Sequence, residues 1–229
     1  MSIDLIVAKF GGWSLETPEN TDRAINLIAQ DDRRKVIIVS GPKGLTDLYL
    51  QIAKERILRQ SSLDTYRKIM DKWEKLCPHL ELEGSLGSIR VDFEQILGSY
   101  DGPSNIDSTK AKRFLDNVAR LGEFFEAKYI FVPRLNKRGI KAVFFDPKDV
   151  IYGTDSPGDA SILPESADNL RGKIIASGLT NEYVVVVPGF YCYTKNGDVV
   201  TLPRGGSDTT GSFVASALNA SVYENFTKG

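Results

Sequence analysis

Chemistry-bearing thiols and imidazoles are scarce in this sequence. Two cysteines stand among 229 residues, Cys77 and Cys192. They are too few and too far apart for a disulfide framework or a zinc site, and they read as reduced thiols of a cytoplasmic protein. The single histidine, His79, lies in a polar stretch between expected helices with no partner at ligand spacing, so neither catalysis nor metal binding is assigned to it. Excess positive charge is also lacking. Lys and Arg number 29 against 30 Asp and Glu, a net charge of −1, which gives no broad basic field for nucleic acid. Long apolar runs are missing as well: Val184 to Val187 falls far short of a bilayer span. The opening "MSIDLIVAKFGG" has neither the basic nor the long apolar region of a secretory signal. Without repeats, low-complexity tracts or flexible linkers, residues 1–229 read as one domain, long enough for a substantial core.

What is present is an alternation of buried strands and helices. "IDLIVAKFGG" reads as a strand closing on two glycines. A helix start follows, with Thr17 or a neighbour as cap, Pro18 early, Glu19 and Asp22 in the first turn, and Ala24, Ile25, Leu27 and Ile28 facing inward. "KVIIVSGPKG" is the next strand and "TDLYLQIAKERIL" the next helix. Residues 61–138 read as mainly helical, with a break at "GSYDGPSN". "GIKAVFFDP" and "EYVVVVPGF" are further strands. "YCYTKNGDVVTL" predicts a hairpin with a primed turn at Asn196-Gly197, and a small, apolar helix is expected from Gly211 onward. The order predicts an α/β fold, a mainly parallel central sheet with helices on both faces.

In such a sheet ligands gather at the carboxyl ends of the strands. Four polar glycine turns follow strands, at 9–14, 40–46, 188–190 and 203–208. If the strands are parallel neighbours, these turns converge on one crevice suited to phosphate and other anions. The two commonest phosphate motifs, G-x-x-x-x-G-K-[ST] and G-x-G-x-x-G, are absent. Each candidate has a plain alternative. Lys9 either neutralises a transferring phosphate or is a solvated lysine beside a βα turn. Thr46 either meets a ligand with Ser40 and Asp47 or caps a helix. Glu123, in an apolar helical segment, is either exposed or buried against a cationic ligand group. Arg204 either pairs with a nearby acid or grips a ligand carboxylate with its guanidinium fork.

Taken in order, "KFGGWSL", "VSGPKGLTDLYL", "LGE", "RGIKAVFFD", "TDSPGDASILPES", "VVVVPGF" and "TLPRGGSDTTGSFVASALNASVYENFT" resemble the aspartokinases of the amino-acid kinase superfamily. The resemblance spans the chain, is most specific at R-G-G-S-D and is weak over residues 56–110. It implies a three-layer α/β/α sandwich, incomplete at the C-terminus. It also implies transfer of the ATP γ-phosphoryl, with Mg²⁺ carried mainly by the nucleotide phosphates, to the β-carboxylate of L-aspartate. Lys9 and Asp208 then match catalytic positions. Ser40, Thr46, Glu123, Arg204 and Ser207 match substrate-binding ones, Glu123 at the α-ammonium and Arg204 at the α-carboxylate. Lys9, Phe10, Gly11, Gly12, Gly205, Gly206 and Thr227 match the nucleotide side, and no residue matches a metal ligand. Partners are L-aspartate and ATP, with no nucleic acid and no membrane, and homo-oligomer formation is left open.

Three departures stand out: Trp13 in place of a threonine, Pro203 in place of a glycine, and Lys228 where aspartate is usual. The resemblance further implies that the rest of the nucleotide-binding part and the regulatory ACT domains are missing, so weak or no activity is expected of this chain alone. The alternatives are a kinase for glutamate, acetylglutamate, carbamate or a nucleoside monophosphate, or a non-catalytic regulatory homologue.

Overall fold

A computed structural model describes residues 3–77, 84–148 and 150–227. Its elements follow in the order β1 (Ile3–Phe10), a 3₁₀ turn (Gly12–Leu15), α1 (Pro18–Ala29), β2 (Arg34–Val39), α2 (Leu45–Ile57), α3 (Leu63–Leu76), α4 (Ser85–Gly98), α5 (Thr109–Ala119) and α6 (Leu121–Phe125). A π-helical turn (Glu126–Phe131) leads to α7 (Val132–Lys137) and β3 (Ala142–Phe144). Then come α8 (Ser166–Leu170), a second π turn (Arg171–Ala176), α9 (Leu179–Glu182), β4 (Val184–Pro188), β5 (Tyr191–Tyr193), β6 (Val199–Thr201), α10 (Gly206–Ala217) and β7 (Ala220–Phe226). His79 and Lys228 lie outside the described residues.

Five strands form one parallel sheet in the order β3-β4-β2-β1-β7. Side chains alternate between its faces. Ala8, Phe10, Ile37, Val39 and Val186 pack against α1, the π turn and α7, whereas Leu5, Val7, Val36, Ile38 and Val187 pack against α8 and α10. Both faces are covered, so these strands carry continuous apolar runs, as the α/β expectation requires. A third core joins α2 to α6 in a helical lobe around Tyr49, Trp73, Phe93 and Phe125. Thr17 caps α1 as expected, its hydroxyl accepting the Asn20 N–H at 3.3 Å, with Pro18 as the first helical residue.

Three local expectations are corrected. The Asn196-Gly197 turn is not a primed two-residue turn: of this pair Gly197 alone has positive φ (85°), and a type I′ turn needs it at both positions. The hairpin instead closes through a longer loop, in which Gly197 N–H donates to Thr194 O (2.9 Å) and Thr194 N–H to Asp198 O (2.8 Å). The last helix begins at Gly206 rather than Gly211, behind Gly205 at φ 85°, a conformation glycine adopts without strain. The cap of α2 is Gly44, so Thr46 lies inside that helix and is not its cap.

Candidate active site

β1 and β2 end side by side, and strand parity decides what each end presents. Lys9 falls on the same face as Leu5 and Val7, the face covered by α10. It is buried there, and its Nζ lies 2.6 Å from Asp208 Oδ1 in the first turn of α10. Asn225 Nδ2 donates to the same oxygen at 3.0 Å. The helix therefore carries its acid where a lysine from the neighbouring strand arrives. The first N–H groups of α10 have no helical carbonyl to reach. Asp208 and Thr209 donate back to Gly205 O (2.8 and 3.1 Å). Gly206 and Ser207 present their amides at the helix's positive end, next to Lys9.

Glu123 arrives from the other side. Gly41, after β2, and Gly122 of α6 pack backbone to backbone: a Cβ on Gly41 would sit 3.0 Å from the Gly122 carbonyl carbon. That approach lets Gly41 N–H donate to the Glu123 carboxylate. The carboxylate is buried, and its Oε2 has no partner among the described residues. Burial pushes its pKa up to about 7, with the Gly41 and Glu123 N–H groups opposing the shift.

A cavity of about 750 Å³ joins these groups. Its lining includes Lys9, Ser40, Thr46, Glu123, Arg204, Gly205, Gly206, Ser207 and Asp208, nine of the residues expected from the sequence. Arg204 is exposed on its loop, and no described acid pairs with it. The cavity thus holds two cations from the sheet side, a buried acid from the lobe and a helix N-terminus.

Four expected residues stand elsewhere. Phe10 points to the opposite sheet face, stacked on Phe226 at 4.9 Å. Gly11 N–H donates to Phe226 O (3.0 Å), which engages the first amide of the pair within the fold, and Gly12 O accepts from Lys43 N–H (3.1 Å). Thr227 lines a smaller neighbouring cavity of about 380 Å³ with Phe10, Trp13 and Phe226. Trp13 belongs to that second space, with Lys43 Nζ 3.2 Å from its ring centre, and not to the larger one. Pro203 is exposed on the loop before Arg204.

The sequence reading missed Lys112, Asp116, Phe190, Gly158 and Thr201, which also line the larger cavity. A signal existed for part of this. Lys112, Asp116, Ala119 and Glu123 are spaced 4, 3 and 4 residues apart, one face of a helical run, and all four reach the cavity.

The profile of the Amino acid kinase family matches residues 4–228. Aspartokinase 3 of Bacillus subtilis (strain 168) is 33% identical over 230 residues, covering 96% of this chain and 48% of that protein. Lysine-sensitive aspartokinase 3 of Escherichia coli (strain K12) is 27% identical, covering 98% and 49%. Among solved structures, E. coli aspartokinase III in complex with lysine and aspartate (T-state) has a TM-score of 0.78 at 26% identity, over 99% of this chain and 50% of that one. The same enzyme in complex with aspartate and ADP (R-state) gives 0.76 at 25% identity, over 98% and 49%. The chain spans about half the length of the relatives it matches. With a profile covering almost every residue and a fold that, over nearly all of its own length, matches half of a solved aspartokinase, this chain belongs to the amino acid kinase family.

Proposed function

We propose that this chain is the substrate-binding portion of an aspartate kinase, which transfers the γ-phosphoryl of ATP to the β-carboxylate of L-aspartate. One observation carries the reading: Glu123 is a buried carboxylate with an unpartnered oxygen, lining the same cavity as Lys9 and Arg204. An apolar wall would not hold a half-satisfied acid without a cationic guest, because such a group is costly to bury. The ammonium of an amino acid supplies that charge. Arg204 then takes the α-carboxylate through its paired N–H groups, and the side-chain carboxylate is left pointing toward Lys9.

The residues fit a phosphorylated nucleotide on the same argument. Lys9, Gly206 and Ser207 line the same cavity, and the first amides of α10 have no helical carbonyl to reach, so the site offers donors that phosphoryl oxygens would need. Among the described residues no group of three or more His, Cys, Asp or Glu side chains could hold a metal ion, so Mg²⁺ would ride mainly on the phosphates. Bound Mg·ATP would supply the phosphoryl group and screen its charge. Lys9 stabilises negative charge between the two anions, and Asp208 aims its ammonium from 2.6 Å. Ser40 and Thr46 hydroxyls line the wall between Lys9 and Glu123 and orient the acceptor. No proton transfer by a side chain is required of this site: a carboxylate is already a nucleophile.

The names of the similar proteins, and the aspartate present in the complexes that resemble this fold, support the acceptor. Calorimetric titration with L-aspartate tests it. Saturable binding to wild type, lost in Arg204→Ala, is the expected outcome. A folded sample that binds glutamate or a nucleoside monophosphate but not L-aspartate sinks the reading. Turnover is assayed by trapping aspartyl phosphate with hydroxylamine in the presence of ATP. Because the relatives are about twice as long, turnover by this chain alone is expected to be weak or nil.

A further inference from the structure

We propose that Asp116 is a positioning residue of this site, its carboxylate bolting the Gly158 turn and the end of β6 to α5 and thereby setting where the Arg204 loop stands. The inference rests on the reading of the cavity as an amino-acid site. Asp116 is 4% exposed, as is Thr201. Its Oδ2 accepts the N–H of Gly158 at 2.9 Å and the N–H of Thr201 at 3.0 Å. Its Oδ1 accepts the Thr201 hydroxyl at 2.8 Å. Three donors from two distant segments therefore close on one side chain of the helical lobe.

Both segments are walls of the cavity. Pro157 and Gly158 line one edge, and Thr201 and Leu202 lead directly into Pro203-Arg204-Gly205. Those three loop residues are exposed, whereas Thr201 before them and Gly206 after them are buried. The loop is thus held at its two ends, by α10 at one and by the Asp116 bond pair at the other. Leu202 N–H donates to Phe190 O at 2.8 Å, which ties the same strand end to the neighbouring turn. Asp116 and Glu123 lie two helical turns apart on one face of a helical run. One anchors the wall that carries Arg204, and the other faces the ligand. A shift of the wall changes the distance between ammonium and carboxylate sites, the quantity that selects a short amino acid. Arg113, whose charge also acts on Asp116, is itself paired with Asp155 and Asp198, and the N–H and O–H donors of Thr201 and Gly158 weigh more on the carboxylate than it does.

The carboxylate also borders the cavity, and the rival role is a second acid for the ligand's ammonium. Asparagine separates the two. In Asp116→Asn the amide oxygen still accepts from Gly158 and Thr201, while its NH₂ donates to the Thr201 hydroxyl, which rotates to accept. Asp116→Ala leaves the buried Thr201 N–H unpaired and takes the acceptor from the Gly158 N–H. L-Aspartate affinity, by calorimetry, is expected to fall about tenfold or more in the alanine variant and to stay within about threefold in the asparagine variant. Amide exchange at Gly158 and Thr201 is expected to quicken in Asp116→Ala and to match wild type in Asp116→Asn. Should the alanine variant not fold, Thr201→Val removes only the Oδ1 bond and is expected to weaken affinity by about threefold. Equal weakening in the asparagine and alanine variants overturns the proposal in favour of a direct charge role, as does wild-type exchange at both amides in the alanine variant. If wild type itself binds no L-aspartate, the functional reading fails while the exchange data still decide the bolt.

Discussion

The strand ends and the helical lobe both bring charge to the cavity between them, and its buried acids come from the lobe. Strands β1 and β6 end in Lys9 and in the loop carrying Arg204, both cations. The helical run from α5 through the π turn holds three buried acids, Asp116, Glu123 and Glu126. Burial pushes Glu126 up to about 8 and Glu123 to about 7, Arg134 opposing the former. Lys112 of α5 adds a cation from the lobe and Asp208 of α10 an acid beside Lys9, so both signs meet at the boundary of the two regions, as a zwitterion needs. The two cores also differ in kind. The sheet is packed with Val and Ile alternating between faces, whereas the lobe is built on aromatic rings, with Trp73 Nε1–H donating to the Tyr49 hydroxyl at 2.7 Å.

The sharpest blow to this comparison falls on the lobe core. Trp73 is fully buried and packs edge-on to Phe125. Trp73→Ala is expected to lower stability by about 3–5 kcal/mol in urea unfolding, since it opens a cavity and strands the Tyr49 hydroxyl. A loss under about 1 kcal/mol would mean that the aromatic cluster is loosely packed.

Next comes the acid facing the cavity. Glu123→Gln is expected to weaken L-aspartate binding by about 2–5 kcal/mol, because the ammonium loses its buried counter-charge. The wild-type affinity should climb as pH rises to about 7 and level off above it, as Glu123 ionises. Stability runs the other way. With a folded pKa of about 7 against an ordinary 4.5, the native state holds the extra proton, so this group's contribution is greatest below about 4.5. It declines as pH rises to about 7 and is flat beyond. The glutamine variant should lose the affinity slope and Glu123's share of the stability slope, while Glu126, raised to about 8, keeps its own share; an affinity profile parallel to wild type would remove Glu123 from the site.

Arg204→Ala probes the sheet side. Affinity should drop by about 1.5–3 kcal/mol, the worth of hydrogen bonds to a charged group, with unfolding unchanged within about 0.5 kcal/mol because the residue is exposed. A stability loss larger than the binding loss would make Arg204 structural. The smallest effect belongs far from the site: Thr17→Ala removes a helix cap and is expected to cost about 1 kcal/mol without touching affinity.

Legibility followed the same division. Strands β1, β2 and β4 could be read from continuous apolar runs, and the turns after them from glycine. The edge strand β7 was not foreseen, since "ASVYENF" mixes polar and apolar residues without strict alternation and even Val222 is exposed. In the lobe the helices could be recognised as helices, but nothing local says which face meets the sheet. Asp116 was passed over for that reason: a carboxylate in an amphipathic helix looks solvated until Gly158 and Thr201, remote in sequence, close on it. The Gly11-Gly12 pair was read, beside Lys9 and from the resemblance, as belonging to the nucleotide side; that Phe226 O takes the Gly11 amide, next to the pairing of β1 with β7, could not be read from the pair itself.

By itself the sequence determined the alternation of strand and helix, the glycine turns at strand ends and the set of charged residues available there, because periodicity and φ-permissive residues act over a few positions. Only the tertiary structure decided that α6 lies against the β2 turn, leaving Glu123 dry and half-partnered. It alone also decided that the wall bearing Arg204 is fastened to a lobe helix. Burial and long-range hydrogen bonding are properties of the packed chain, and no short stretch of residues encodes them.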